Sequence, residues 1–314
     1  MMGYIVKRLL TIIPTLVGAS IVIFSLIHIL PGDPIITMFG KQPSFEAIEY
    51  LRHQYGFDRP LYVQYFDWVW NILQGNFGNS IRYGSPILGL IMERMPATLW
   101  LIVFAMIVSL SVSIPISVLT ASRPGSMTDH AGTMFVLIGI SAPSFWLGLM
   151  LIMVFTLYLR VLPCYGFVGP MESIPEFLAH LALPSITLGL LMGGTVTRIA
   201  KSTMVEVLRA EYIKFVRSKG VSEKIVLYKH ALKNTLIPIV TIVGLQTGYL
   251  LAGSVVIEQV FGWPGMGRLL LQAIYTRDYF LIQGGLLFYC ALFMLVNLAT
   301  DILYAYVDPR IRYE

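Results

Sequence analysis

The chain has 314 residues, 56% of them hydrophobic and only 12% charged, with a formal net charge of +5. That balance excludes a soluble globular protein. The basic surplus flanks apolar stretches, which is the pattern of membrane topology and not of nucleic-acid binding.

Six uncharged runs reach the roughly 20 residues that a helix needs to cross a bilayer. They are 9–32, 95–122, 131–159, 177–197, 234–257 and 279–300, and they predict an all-α integral membrane protein of six transmembrane helices. Lys7 and Arg8 anchor the first span. It contains Pro14 and ends in HILPGDP, His28 to Pro34. Leu9 to Leu30 has the length of a span and no small-residue cleavage site, so it reads as a retained helix and not a signal peptide. His28 and Asp33 sit at the interface, where a polar cap is the better reading than a proton relay.

Residues 33–94 form the one sizeable external segment. A helix is predicted over Leu61 to Leu73, with Gly75 and Gly78 as punctuation. Tyr62, Tyr65, Trp68 and Trp70 suit a segment lying at the membrane interface, in preference to an aromatic sugar platform. The second span follows Arg94-Met95-Pro96 and carries Pro115. The third carries SAPSFWLG, Ser141 to Gly148, where Pro143 bends or breaks the helix. The fourth is rich in Ser185, Thr187, Gly189, Gly193, Gly194, Thr195 and Thr197. Such residues serve close packing or a polar pathway, and the sequence leaves both open.

Between the fourth and fifth spans, Arg198 to Lys233 carry nine Lys or Arg against three acids, Glu206, Glu211 and Glu223. Val205, Leu208, Tyr212 and Phe215 recur near the helical period, which predicts an amphipathic helix. Gly220 stops it, with Arg217 and Lys219 at the negative end of its dipole. Ser222 is placed to cap a second helix, with Glu223 in its first turn. A helix–glycine–helix hairpin between two membrane spans is a rigid lever, and a lever implies a partner that pushes it. The fifth span includes Pro238, Gly244, Gln246, Gly248 and Gly253. In the external stretch 258–280, Trp263 is predicted to anchor at the interface and Pro264-Gly265 to form a type II turn. The sixth span ends near Asp301, before a short tail.

With both termini inside, the N-terminus, the 121–130 loop, the hairpin and the tail hold 14 Lys and Arg, against 8 outside. The excess supports cytoplasmic termini. No phosphate loop, zinc-protease helix, cysteine cluster or nucleophile elbow is present in the sequence. Cys164 and Cys290 read as apolar fillers. The five histidines are scattered, with no metal-ligand spacing. No charge lies at the centre of any span, which argues against a self-powered carrier. An intramembrane hydrolase would need His28, Ser141 or Ser185 to converge, and their spacing does not indicate it. What remains is a pathway-forming subunit driven through the hairpin, with a stand-alone channel as the rival from another class.

LPGDP, YGFDRPLYVQY, LQGNFGNS, APSFWLG, RSKGVSEKIVLYKHALKNTLIP and VFGWPGMGRLLLQAIYTRDYFLIQG run along the whole chain. On these strings it resembles the permease subunits of ABC importers of the oligopeptide, dipeptide, nickel and glutathione type, specifically the first of their two homologous permeases. The resemblance implies a type I importer permease fold. Residues 1–94 would hold the first helix and external segment, 95–306 the permease core with coupling loop 198–233, and 307–314 a cytoplasmic tail. It implies a prokaryotic inner-membrane location and transport of di- or oligopeptides, with nickel, nickel-chelate or glutathione as alternatives. The implied partners are a second permease, two ATP-binding subunits that hold the ATP and Mg, and an extracellular substrate-binding protein. It assigns ATPase coupling to Lys214, Arg217, Ser218, Lys219, Gly220, Val221, Ser222 and Glu223. It assigns the external gate or binding-protein docking to Trp263, Pro264, Gly265, Arg277 and Asp278. No catalytic residue, metal site or cofactor of its own is implied, and no substrate contact is named. The chain departs from the general family pattern at Lys214-Phe215-Val216, where that pattern has Glu-Ala-Ala, and at Phe280, where this subgroup often has proline.

Overall fold

A computed structural model describes residues 2–29, 45–54 and 56–307. Asp33 with the rest of LPGDP, Lys41 and the tail from Asp308 lie outside the described residues. All the regular elements described are helices: α1 (Met2–Ile29), α2 (Phe45–Gln54), α3 (Leu61–Leu73), α4 (Ile87–Ser122), α5 (Met127–Ser141), α6 (Ser144–Tyr158), α7 (Ile174–Arg209), α8 (Glu211–Ser218), α9 (Glu223–Val260), α10 (Met266–Tyr275) and α11 (Tyr279–Val307). Five are long and apolar enough to cross a membrane, or six if the bent pair α5–α6 is one span. The helices outrun the apolar stretches that predict them. Helix α4 begins at Ile87, so Arg94 and Pro96 lie inside it, and α7 continues to Arg209. A backbone hydrogen-bond ladder does not end where hydrophobicity ends.

The chain divides into two compact units. One comprises Ala97–Pro264 with the residues from Val296. Its centre is α7, buried along much of its length by Leu181, Leu188, Met192, Val196, Ala200 and Met204. The glycines of this helix serve packing. A Cβ on Gly189 would lie 2.8 Å from the Ala105 carbonyl oxygen, and one on Gly194 would lie 3.0 Å from that of Val136. Ser113 donates to the Gly193 carbonyl across the same contact at 3.0 Å. Such close approach is how helices gain contact where lipid supplies no hydrophobic drive.

The helix expected as the third span breaks at Ala142-Pro143, and its axis bends there by 114°. Proline has no N–H to donate and crowds the preceding turn. Ala142 accordingly leaves the helical region, with φ −73° and ψ 131°. Two π-helical stretches, Ile152–Tyr158 in α6 and Val226–Ala231 in α9, have no counterpart in the sequence reading.

The second unit comprises residues up to Pro96 together with Gly265–Leu295. Ile87, Ile91, Met266, Leu269, Ala273, Leu281 and Ile282 form its core. Helix α3 has the predicted bounds and presents Tyr62, Phe66 and Trp70 outward. His28 bonds the Phe24 carbonyl at 2.8 Å and Gln64 Oε1 at 3.3 Å, as a polar cap does.

Candidate functional site

The basic hairpin is not one amphipathic helix followed by a turn. Helix α7 carries through Val205 and Leu208 to Arg209, and then Ala210 adopts an extended conformation, φ −63° and ψ 146°. The short α8 that follows is out of phase with α7. Ile213 is therefore the buried residue, while Tyr212 is 42% and Phe215 61% exposed. This corrects the expectation that Tyr212 and Phe215 belong to the inner face. Ile213 packs with Met204 of α7, Val118 and Ala121 of α4, and Val226 and Ala231 of α9. Helix α8 is thus seated on three other helices by an apolar underside.

Gly220 has φ +74°, the left-handed conformation predicted for the stop, and its N–H bonds the Arg217 carbonyl at 2.9 Å. Arg217 donates to both carboxylate oxygens of Glu223, at 2.6 and 3.1 Å, and so clamps the turn shut. That carboxylate raises the Arg217 pKa above its ordinary value. Ser222 stands at the start of α9, but its hydroxyl caps nothing. Its carbonyl takes the N–H groups of Ile225 and Val226 instead, which corrects the predicted side-chain cap. Lys214 pairs with Glu211 at 2.7 Å, and Lys219 Nζ lies 4.5 Å from the Phe215 ring centroid. Val221 is half-buried beneath, whereas Lys214, Arg217, Ser218, Lys219 and Gly220 face outward. The outward surface is therefore two aromatic rings among cations, on a stiff base.

Two contacts that brace this region had no sequence signal. Lys201 of α7 pairs with Asp129 at the start of α5, 72 residues away. Asn234 donates to the Tyr212 hydroxyl at 2.6 Å.

In the stretch 258–280 the structure corrects two expectations, the interfacial Trp263 and the type II turn. Trp263 is fully buried, and its Nε1 donates to the Ala97 carbonyl at 2.8 Å. It packs edge-on against Phe167, with ring centroids 4.8 Å apart. It is a core residue and not an interfacial anchor. Pro264-Gly265 is not a type II turn, because Gly265 has φ −91° and ψ 177° and precedes α10. The positive φ falls on Gly262, at 63°. A Cβ there would also lie only 2.0 Å from the Tyr165 ring. In the other unit, Arg277 takes φ 54° at the end of α10. Its N–H bonds the Ile274 carbonyl and that of Asp278 bonds the Ala273 carbonyl, the pattern of a Schellman cap. Asp278 is buried and accepts from Ser80 Oγ, Arg82 N and Leu281 N.

Among the described residues no three His, Cys, Asp or Glu are grouped to hold a metal ion. Cys164 and Cys290 are free thiols, each half-buried.

Residues 113–313 match the family model of the binding-protein-dependent transport system inner membrane component. Residues 1–102 match the model of the N-terminal part of such membrane components. The chain is 40% identical over 333 residues to a dipeptide transport system permease protein of Alkalihalophilus pseudofirmus, with all of both chains covered. It is also 40% identical over 314 residues to glutathione transport system permease proteins of Salmonella choleraesuis and Escherichia coli K12, again over all of both chains. A crystal structure of an amino acid ABC transporter with histidines aligns at 15% identity and a TM-score of 0.49, over 71% of this chain and 94% of that one.

Proposed function

The chain belongs to the binding-protein-dependent transport system inner membrane components, and from that premise we propose that it carries short peptides and is driven through the hairpin around Gly220. It is a multi-pass inner-membrane permease subunit of an ABC importer, and not itself an enzyme. The family implies an ATPase and a substrate-binding protein as partners. The finer reading has a second, homologous permease completing the pathway and two ATP-binding subunits holding ATP and Mg²⁺. Dipeptides are the proposed solute, after the Alkalihalophilus relative. Glutathione, itself a small peptide, is the second reading, after the enterobacterial relatives.

The observation that carries the coupling role is the two-faced hairpin. Ile213 and Val226 are fully buried beneath it, while Tyr212 and Phe215 stand exposed above. A push on the outer face moves α7 and α9 together, because a packed base transmits displacement that a loose loop would absorb. Lys214, Arg217, Ser218, Lys219, Gly220, Val221, Ser222 and Glu223 make up or support that face.

The test is to express the chain with its neighbouring genes, purify it in mild detergent and identify what accompanies it. The reading expects a second permease and two ATPases, with ATP turnover that rises when a peptide-loaded binding protein is added. Purification of the chain alone, with solute flux in liposomes lacking ATP, would replace the importer by a channel.

A further inference from the structure

The hydroxyls of the spans mostly satisfy themselves. Thr187, Thr235, Thr241 and Thr247 each donate to the carbonyl four residues back, at 2.8 to 3.1 Å. That is the usual way for a hydroxyl to avoid an unpaired polar atom among lipid chains. Ser109, Thr156, Ser185 and Thr197 are buried without such a partner, and four further polar side chains that depart from this habit converge. Ser144 at the start of α6, Thr195 of α7, and Gln246 and Tyr249 of α9 all line one cavity of about 340 Å³ beside the Ala142-Pro143 break. None of the four has a hydrogen-bond partner among the described residues. Gln246 also falls at the middle of the apolar run 234–257, where an unanswered carboxamide is costly. No charged residue lines the cavity.

We infer that this cavity is a way station for the solute, in which Gln246 and Thr195 hydrogen-bond the peptide unit itself. This rests on the reading of the solute as a peptide. A carboxamide offers one acceptor and two donors, which match the N–H and C=O of a peptide bond whatever its side chains are. The size lies within the range of small-molecule sites. The lack of charge fits a station that must release what it holds, since a fixed ion would grip a peptide terminus too firmly for passage. Exposed Tyr249 then stands on the face where a second permease completes the wall.

The test uses the whole complex with its binding protein in proteoliposomes, and radiolabelled alanyl-alanine as probe. Gln246→Leu should lower the uptake rate roughly tenfold, the worth of one or two hydrogen bonds. Stimulation of ATP turnover by the loaded binding protein should persist in that variant, and Gln246→Asn should recover part of the uptake. A second measurement places a thiol there, Gln246→Cys with Cys164→Ala and Cys290→Ala. Its reaction with a small methanethiosulfonate reagent should change with nucleotide and slow when alanyl-alanine is present. A thiol that never reacts marks a dry helix contact and overturns the proposal. So does unchanged uptake in Gln246→Leu. If the wild-type complex takes up no alanyl-alanine, the peptide reading fails, and this station fails with it.

Discussion

Gly220 and Arg277 both hold left-handed backbone, at φ 74° and 54°, yet substitution should act on them in opposite ways. Nothing lies within 4 Å of a Cβ built on Gly220. Gly220→Ala therefore costs only conformational strain, about 1–2 kcal/mol, and should leave most uptake intact. Gly220→Asp adds a charge beside the Arg217–Glu223 clamp, on the surface proposed to meet the ATPase. It should abolish uptake at normal membrane abundance, as measured by transport and immunoblot, and normal uptake by this variant would refute the lever. Arg277 bears the same strain without being glycine. Arg277→Gly relieves it while adding about 0.5–1 kcal/mol of chain entropy cost, so the net should be a stabilisation of about 0–1.5 kcal/mol. A raised melting midpoint of the purified complex checks this. A clear fall would show that the arginine side chain makes contacts worth more than the strain. Trp263 shows why single residues mislead in a sequence. Tryptophan beside an apolar span usually marks the interface, but this one finds the Ala97 carbonyl 166 positions away. Only the fold reveals such a partner.

Among the elements, legibility follows how local the cause is. Pro143 breaks its own helix, so the break in the third span was readable, although the 114° angle was not. The helix Leu61–Leu73 was readable because Pro60 precedes it and Gly75 follows. The phase of α8 was not readable, because the chain breaks at an alanine. Ala210 carries no breaker signal, and a count of the helical period runs straight through it. The choice between packing and pathway for the glycines of α7 needed the carbonyls that face them from α4 and α5. If the proline causes the bend, Pro143→Ala should restore a donor toward the Gly139 carbonyl and let α5 and α6 straighten. Spin labels at Met134 and Leu157, both exposed, would then move apart in pulsed dipolar spectra. Uptake should fall while the complex still assembles, since the bend shapes the cavity at Ser144 and leaves the hairpin alone. An unchanged label distance would place the cause of the bend in the packing of α7 and α9 against it.

For the whole molecule, the decisive quantity is the asymmetry of charge across six spans. The segments assigned to the cytoplasm hold 14 Lys and Arg and the opposite ones 8, and nine of the 14 lie in the hairpin. Reversing the protein would require that hairpin to be translocated, which short basic loops resist. The orientation also decides function. An ATPase can push Tyr212 and Phe215 only if they face the cytoplasm, and a binding protein can reach α3 and α10 only if those face outward. The proposed coupling role requires the hairpin to be cytoplasmic. Ser218→Cys and Tyr62→Cys, each in a background of Cys164→Ala and Cys290→Ala, report on it directly, because both positions are exposed. In intact spheroplasts a membrane-impermeant maleimide should label residue 62 and spare residue 218. After lysis it should label both. Labelling of residue 218 in intact cells would put the hairpin outside, beyond reach of any ATPase, and the coupling role would fall with the topology.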